Sequence, residues 1–254
     1  MIAITHVPSP KMEQCERTYV AWTPIDHRRA ARQHEEYCRM LRACGADVVT
    51  LDINLDLPDC AFVEDTAIVL DEVAVLASMG AESRCAEPAG IELELRKYRE
   101  IHRIQTPATI EGGDVLCVGR KLLVGLSSRT NRAGVNALEA VVRRYGYEIV
   151  LVPVRHCLHL KTACSALPDQ SLLINPAWFD VRSLRGFELV PVPEAEPWAA
   201  NVALVGNAVC IAANHEETGC VIRERGFEVN TIDLSEFAKA EGGVTCLSIL
   251  LRTA

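Results

Sequence analysis

The sequence lacks the features that mark a membrane protein or a nucleic-acid-binding protein. It has no run of basic residues, and its net charge is -8, with 26 Lys and Arg against 34 Asp and Glu. This balance argues against nucleic acid or an anionic membrane as a partner and suits the attraction of a small cation. No apolar stretch reaches the roughly 18 residues that span a bilayer, and no basic and apolar signal core opens the chain. We therefore expect a soluble, cytoplasmic protein that acts on a small molecule, with no nucleic-acid or membrane partner.

The sequence also has no Cys-x-x-Cys pair, which removes a common signature of zinc and redox sites. Its eleven cysteines are odd in number. In a chain of this size without a secretory signal they favour reduced thiols over a disulfide framework. We expect most of them to be small core residues, as for Cys117, Cys164 and Cys210, which lie in apolar runs.

What the sequence does contain is a repeated pattern. Two apolar strands joined by a tight turn are followed by a helix and a closing strand. The order is clearest over residues 116–152 and returns over residues 202–232 and 67–104, with a fainter copy over residues 162–192. Such repeats predict small structural modules of one kind.

The two ends of the chain together make one more copy. The N-terminal segment has a strand at residues 2–5, a helix at about 25–44 and a closing strand at 45–51, but it lacks one hairpin strand. A predicted strand at residues 245–251 would supply it and close a ring. We therefore predict an α/β fold of five ββαβ modules around an axis, in a single domain over residues 1–254. The alternative is a doubly wound parallel sheet, which the turn-linked strand pairs disfavour.

A ring brings residues at the same end of different modules to the axis, where they can build one site. Cys246 could supply a nucleophile there, Glu111 a carboxylate and His159 an imidazole. Gly242 and Gly243 precede the cysteine, and without side chains they let the backbone turn tightly and a ligand come close.

Each of these candidates has an ordinary alternative. Cys246 could be a core cysteine in a terminal strand, and His159 a core histidine on an apolar strand. Glu111 could be a turn residue, in which case Asp114 is the fallback carboxylate. His156 lies outside the segment 158–162 and is set aside.

Six segments together resemble the dimethylarginine dimethylaminohydrolases, members of the guanidine-modifying superfamily. They are residues 57–65, 80–84, 111–114, 128–131, 158–162 and 242–246. The resemblance implies a five-bladed α/β propeller, in agreement with the repeats. It also implies hydrolysis of asymmetric dimethylarginine or monomethylarginine to citrulline and dimethylamine or methylamine, with no cofactor and no metal.

The resemblance implies a role for each catalytic candidate. Cys246 would attack the guanidinium carbon as a thiolate, which the substrate cation would favour by lowering the thiol pKa. His159 would protonate the departing amine and then activate water against a thiouronium intermediate. Glu111 would orient the imidazole and stabilise its charged form.

Substrate contacts are implied for six further residues. The carboxylates that would hold the guanidinium are Asp59, Glu64 and Asp65. Arg84 and Arg129 would hold the α-carboxylate, and Ala240 would contribute its backbone. The alternatives are solvated turns or strand-end caps for the carboxylates, and surface positions or internal salt bridges for the arginines.

One segment departs from the family pattern. The family's flexible N-terminal lid usually carries a leucine that touches substrate, whereas residues 11–25 contain none, so Cys15 or Thr18 is the candidate replacement. Three other functions stay open: a hydrolase or deiminase for another substituted guanidine or arginine, an idle methylarginine-binding protein, and a metal site using Cys246 and His159. A homodimer also stays open.

Overall fold

The computed structural model describes residues 1–252, so residues 253 and 254 of the predicted domain lie outside the described residues. The strands in this range are β1 Ile2–His6, β2 Asp47–Leu51, β3 Ala67–Val69, β4 Val73–Leu76, β5 Glu100–Arg103, β6 Val115–Val118, β7 Lys121–Leu126, β8 Glu148–Pro153, β9 Cys164–Ala166, β10 Leu172–Ile174, β11 Leu189–Pro191, β12 Ala203–Val205, β13 Ala208–Ala212, β14 Glu228–Ile232 and β15 Ile249–Leu251. The α-helices are α1 His27–Ala43, α2 Glu87–Leu95, α3 Arg132–Val142, α4 Leu160–Ala163, α5 Glu216–Glu224 and α6 Ser235–Ala238. Short 3-10 helices are Met12–Gln14, Val63–Thr66, Glu82–Arg84, Gly112–Asp114, Arg143–Tyr145 and Val181–Leu184. Among the helices of residues 1–252, none has the length and apolar character to cross a membrane.

The strands form five three-stranded sheets, ordered β3-β4-β5, β6-β7-β8, β9-β10-β11, β12-β13-β14 and β15-β1-β2. In each sheet the middle strand pairs antiparallel with the first strand and parallel with the last. In β7, for example, Val124 faces Val115 of β6 and Leu151 of β8. The predicted ββαβ modules are therefore confirmed, and a single doubly wound sheet is excluded.

The two ends of the chain close the ring, as predicted. β15 pairs antiparallel with β1, and Ile4 lies opposite Ile249. The strand is shorter than predicted, because it begins at Ile249 rather than at residue 245. The N–H of Thr245 donates to the side-chain Oδ1 of Asn201 at 3.1 Å, so it is not available to a β-ladder. Cys246 therefore lies in a turn ahead of the strand, and the prediction that it belongs to the strand is wrong.

One strand of each module lines a central cavity of about 420 Å³. We call these the axial strands; they are β3, β6, β9, β12 and β15. Residues from all five line the cavity, among them Ile68, Leu116, Ser165, Leu204 and Ile249. The five modules thus surround an axis as the blades of an α/β propeller, and the segments that lead into the axial strands are neighbours.

Four modules turn back into their last strand through a left-handed glycine. Gly45, Gly146, Gly186 and Gly226 have φ values of 87°, 79°, 92° and 86°. A side chain would be strained in this conformation, which commonly ends a helix. These glycines are the physical basis of the repeat seen before the predicted closing strands.

The hydrophobic core lies between modules rather than inside them. Leu123 of β7 and Leu172 of β10 belong to one cluster, which joins the modules of residues 115–153 and 164–191. Four similar clusters join the other neighbouring modules. Each module therefore buries its apolar faces only against its neighbours, as expected of a repeat architecture.

Six of the eleven cysteines are buried, as expected for most of them, whereas Cys85, Cys117 and Cys220 are exposed. Cys164 and Cys210 are buried, whereas Cys117 is exposed. Cys117 lies between the buried residues Leu116 and Val118 on β6, so strand alternation points it to the other face. All eleven cysteines are free thiols.

Candidate active site

Each axial strand is preceded by a short turn that carries a polar side chain. These side chains are Asp65, Glu111, His159, Asn201 and Cys246. Because the axial strands surround one axis, the five turns meet at one end of the central cavity. The candidate site is therefore assembled from all five modules, with one turn from each.

His159 and Glu111 form a buried ion pair at the centre of this end. His159 Nε2 lies 2.7 Å from Glu111 Oε2, and His159 Nδ1 lies 3.6 Å from Asp65 Oδ1. The other Glu111 oxygen accepts the backbone N–H of Gly80 at 2.8 Å and lies 3.6 Å from Arg129 Nη1. Both members of the pair are thus fixed by neighbours, as a triad histidine and its carboxylate must be.

The charges in this pair stabilise each other. Burial alone would lower the pKa of His159, but Asp65, the hydrogen bond to Glu111 and the charge of Asp114 raise it to about 9. Burial alone would raise the pKa of Glu111, but the hydrogen bond and charge of His159, with Arg84 and Arg129, lower it to about 2. At neutral pH the histidine is therefore a cation that can act as a general acid.

Asp114, the alternative carboxylate of the sequence analysis, fixes the backbone beside His159 instead. Its Oδ1 accepts the backbone N–H of Leu160 at 2.9 Å, and its Oδ2 accepts the hydroxyl of Ser127 at 2.6 Å. Asp114 thereby fixes the first turn of α4, directly after His159. The histidine precedes this short helix rather than lying on an apolar strand.

Cys246 lies beside the carboxylates of the first module. Its carbonyl accepts the N–H of Glu64 at 3.2 Å, and its Sγ lies 3.4 Å from the N–H of Gly243. Desolvation, followed by the negative charges of Glu64 and Asp65, raises the pKa of the thiol to about 12. The sulfur is therefore a protonated thiol, and a cation placed between it and the carboxylates would favour the thiolate.

Two pairs of glycines, Gly112 with Gly113 and Gly242 with Gly243, leave space for other groups of the site. A Cβ on Gly113 would stand 2.6 Å from Asp65 Oδ1 and 2.7 Å from His159 Nδ1. A Cβ on Gly243 would stand 2.4 Å from Asn201 Oδ1. None of the four glycines has a φ in the left-handed region. They are required by close packing of the site's own groups rather than by turn geometry.

The three predicted substrate carboxylates are all buried, which excludes solvated turns. Asp59 accepts the backbone N–H of Glu16 on both oxygens, at 3.3 and 3.2 Å. Asp65 accepts the N–H of Gly113 at 3.2 Å. Glu64 Oε1 accepts from Lys161 Nζ at 2.8 Å, whereas its Oε2 is buried with no hydrogen-bond partner among residues 1–252.

The two predicted arginines differ in their surroundings. Arg84 donates from Nη1 to Asp65 at 2.7 Å and from Nη2 to Glu87 at 2.8 Å and the Phe62 carbonyl at 3.2 Å. This is the internal salt bridge that the sequence left open. Arg129 is also buried, but its Nη1 makes no hydrogen bond within the described part of the chain. Of these two arginines, Arg129 is therefore the one with a free hydrogen-bond donor.

Comparison with known proteins places this site in a family. A family model described as "N,N dimethylarginine dimethylhydrolase, eukaryotic" matches residues 17–174. A relative from Streptomyces coelicolor, named N(G),N(G)-dimethylarginine dimethylaminohydrolase, is 39% identical over 251 residues, covering 98% of this chain and 96% of the relative. The chain belongs to the dimethylarginine dimethylaminohydrolase family.

Solved structures of dimethylarginine dimethylaminohydrolases have the same fold. One from Pseudomonas aeruginosa, a Cys-to-Ser variant complexed with citrulline, superposes with a TM-score of 0.92 at 31% identity, covering 97% of both chains. Another, a His-to-Gly variant in an adduct with S-methyl-L-thiocitrulline, gives 0.93 at 31% identity, covering 97% of this chain and 98% of the other. The five-bladed α/β propeller expected from the family resemblance is confirmed.

The remaining predicted residues lie in the N-terminal segment and in the loop of residues 239–248, which carries Cys246 and is called the nucleophile's loop. Ala240 is buried near the start of this loop, and its N–H donates to the Phe237 carbonyl at 2.9 Å. Cys15 is buried in the same cluster as Phe62. Thr18 is exposed, and its N–H donates to Glu241 at 2.6 Å. Their contacts with a substrate stay predictions.

Two residues at this end of the dimethylarginine dimethylaminohydrolase propeller were missed from the sequence. Asn201 donates to the Lys161 carbonyl at 3.1 Å and to Thr245 Oγ1 at 3.0 Å, and so links the turns of the third, fourth and fifth modules. Its position ahead of an axial strand, equivalent to that of Cys246, was the available signal. Lys161 follows His159 by two residues, but its ion pair with Glu64 spans 97 positions and leaves no local pattern.

One cluster in the site has the composition of a metal site. Ligand atoms of Asp65, Glu111 and His159 all lie within 4.8 Å of one another. Because the pKa of His159 is raised to about 9, a metal ion would have to displace a proton from the imidazole before it could bind there. The cluster is an ion-pair network around an imidazolium.

Proposed function

We propose that this chain hydrolyses N-ω-methylated arginines to citrulline, releasing dimethylamine or methylamine, through a covalent intermediate on Cys246. One observation carries the proposal. Next to the nucleophile and the His159–Glu111 pair, buried charged atoms of opposite sign have no hydrogen-bond partner among the described residues, and Glu64 Oε2 and Arg129 Nη1 are among them. An arginine derivative has a guanidinium at one end and a carboxylate at the other, so it can satisfy both.

Substrate binding would prepare the nucleophile. The guanidinium would donate N–H groups to Glu64 and Asp65, whose negative charges add to desolvation in raising the pKa of the thiol. Neutralising these carboxylates and adding a cation beside the sulfur lowers the thiol pKa, and the proton leaves to solvent. The substrate therefore creates the thiolate that attacks it.

The first chemical step forms a carbon–sulfur bond. The Cys246 thiolate adds to the guanidinium carbon and forms a tetrahedral adduct. His159 donates its proton to the methylated nitrogen, the carbon–nitrogen bond breaks, and the neutral amine leaves. The products are a thiouronium on Cys246 and a neutral imidazole, which Glu111 keeps in position.

The second step hydrolyses the thiouronium. His159 now acts as a base, and the sulfur of Cys246 is the leaving group. Neutral His159 removes a proton from water, and the hydroxide adds to the thiouronium carbon. The carbon–sulfur bond then breaks, the thiolate leaves, and the adduct loses a proton to give citrulline. Glu111 stabilises the imidazolium that this step regenerates.

The test is citrulline release from asymmetric dimethylarginine, monomethylarginine, arginine and agmatine, measured side by side with Cys246→Ser as the blank. The proposal predicts turnover of the methylated arginines, slower or no turnover of agmatine, which lacks the carboxylate, and none by the blank. Preference for arginine would indicate a deiminase. Binding of methylarginine without citrulline release would indicate the idle binding protein.

A further inference from the structure

A carboxylate in the nucleophile's loop holds a separate segment of the chain. We call residues 15–20 the strap. Glu241 Oε1 accepts the backbone N–H groups of three consecutive strap residues: Thr18 at 2.6 Å, Tyr19, and Val20 at 2.9 Å. Consecutive N–H groups that converge on one anion form a strong, geometrically specific anion-binding concavity.

The other end of the strap is attached to a different module. The N–H of Glu16 donates to Asp59, and the Glu16 carboxylate accepts the hydroxyl of Ser83. Asp59 precedes β3 and Ser83 follows β4, so both belong to the first module, whereas Glu241 belongs to the loop that leads to Cys246. The strap therefore bridges the two modules whose turns supply the substrate carboxylates and the nucleophile.

Apolar packing holds the strap only at its beginning. Cys15 is buried in a hydrophobic cluster, but Thr18 and Tyr19 are exposed and Val20 is half-buried. Most of the strap thus lacks the buried apolar area that normally fixes a loop. The hydrogen bonds to Glu241 are the contacts that order its second half.

The backbone at Glu241 indicates that its side chain is needed. Its φ is 60°, in the left-handed region where glycine is favoured and glutamate is strained. The loop is held in this shape by the N–H of Gly242, which donates to the Phe237 carbonyl at 2.9 Å. A glycine would fit this backbone with less strain, but it could not hold the strap.

We infer that Glu241 is a positioning residue that closes the strap over the reaction site and so strengthens substrate binding. It acts through the strap, by fixing residues 18–20 between the first and fifth modules. Asp59 would couple the strap to the ligand. Its carboxylate accepts the N–H of Glu16, and the family resemblance implies that the same carboxylate helps to hold the guanidinium. The inference rests on the proposed function only for the choice of substrate.

The first test does not depend on activity. Amide hydrogen exchange is measured in the wild-type protein and in Glu241→Ala and Glu241→Gln, with Glu224→Ala, an exposed change on α5, as the matched control. We expect exchange at residues 18–20 to accelerate at least about tenfold in Glu241→Ala. Glu241→Gln keeps an acceptor oxygen and should give an intermediate rate. Unchanged exchange in Glu241→Ala would overturn the inference.

The second test separates positioning from chemistry. In Glu241→Ala we expect the KM for the methylated arginine to rise about tenfold while kcat changes less than about threefold, with a smaller rise in Glu241→Gln. Accelerated exchange with an unchanged KM would also overturn the positioning role. Wild-type enzyme without methylarginine turnover would instead count against the proposed function, and the exchange result would still decide whether Glu241 holds the strap.

Discussion

At the scale of single residues, the site is a group of buried charges. Carboxylates give the surroundings of the sulfur a negative charge, whereas the imidazolium and its carboxylate partners carry opposite charges. His159 gains a proton because Asp65, Glu111 and Asp114 surround it. Cys246 keeps its proton because the sulfur is buried and because Glu64 and Asp65 face it. Asp65 acts on both groups: its charge raises the pKa of the His159 imidazolium and that of the Cys246 thiol. We therefore propose that a bound cation is needed before the sulfur can react.

The restrained thiol can be measured directly. Because the pKa of Cys246 is raised to about 12, its alkylation by iodoacetamide in the empty enzyme should accelerate roughly tenfold per pH unit between pH 7 and 9.5. Mass spectrometry of the peptide that contains Cys246 separates it from the other thiols. A rate that levels off near neutral pH would show that a thiolate is already present without substrate, contrary to this account.

The His159–Glu111 pair should also affect stability, with a defined pH window. The folded pKa of His159, about 9, exceeds the unfolded value of about 6.5, so its contribution is complete below pH 6.5 and is lost as the pH rises through 9. Its size is roughly 3 kcal/mol, shared with Glu111. The contribution of Glu111 is present above about pH 4.5 and is lost as the pH falls towards about 2.

Urea denaturation at pH 6, 7.5 and 9 tests this window. The free energy of unfolding of the wild type should exceed that of His159→Ala most at pH 6 and progressively less at higher pH. His156→Asn is the control, because His156 is exposed and left-handed and asparagine tolerates that conformation. A difference that is the same at all three pH values would refute the pair's assigned charges.

At the scale of elements, function is concentrated in the turns ahead of the axial strands, and glycines let these turns pack together. The strand, helix and closing-glycine pattern of each module was visible in the sequence because it is local. Three features could not be predicted from the sequence. They are the first residue of β15, the ion pair of Arg84 with Asp65, and the hydrogen bonds of Glu241 to the strap. These features depend on contacts between segments far apart in the chain, the last across 223 positions.

Gly113 provides the sharpest test at this scale. The Cβ of Gly113→Ala would overlap Asp65 Oδ1 and His159 Nδ1, so it must displace the imidazole. We expect kcat to fall by about 10²-fold or more with the circular dichroism spectrum unchanged, since small misplacements of reacting groups are costly. Gly219→Ala on α5, where the nearest atoms belong to the flexible Arg223 side chain, should keep its activity. Activity of Gly113→Ala within threefold of wild type would contradict the packing argument.

At the scale of the whole molecule, the chain ends close a ring whose core lies between modules. Within residues 1–252, no module has an apolar cluster of its own. β15 and β1 join the last residues described to the first. The ring places one turn from each module at a common site, so stability and function depend on the same closure. We propose that residues 1–254 form one cooperative domain.

Breaking the closure should therefore unfold more than one sheet. Ile249 and Leu251 are buried in the cluster between the fifth and first modules. Changing both to Asp should abolish cooperative thermal unfolding, because two charges cannot be buried there without partners. Arg252→Ser, an exposed change next to them, should unfold as the wild type does. A retained single transition in the double variant would show that the ring does not need this closure.

The central claim is that Cys246 forms a covalent bond with the amidine carbon of an arginine derivative. The most direct measurement is to incubate the His159→Gly variant with S-methyl-L-thiocitrulline and map the added mass along the chain. Methanethiolate can leave without a general acid, and without His159 no base activates water, so the adduct should persist. The account predicts one added amidine group, on Cys246 alone. No adduct, or one on another of the eleven cysteines, would contradict it.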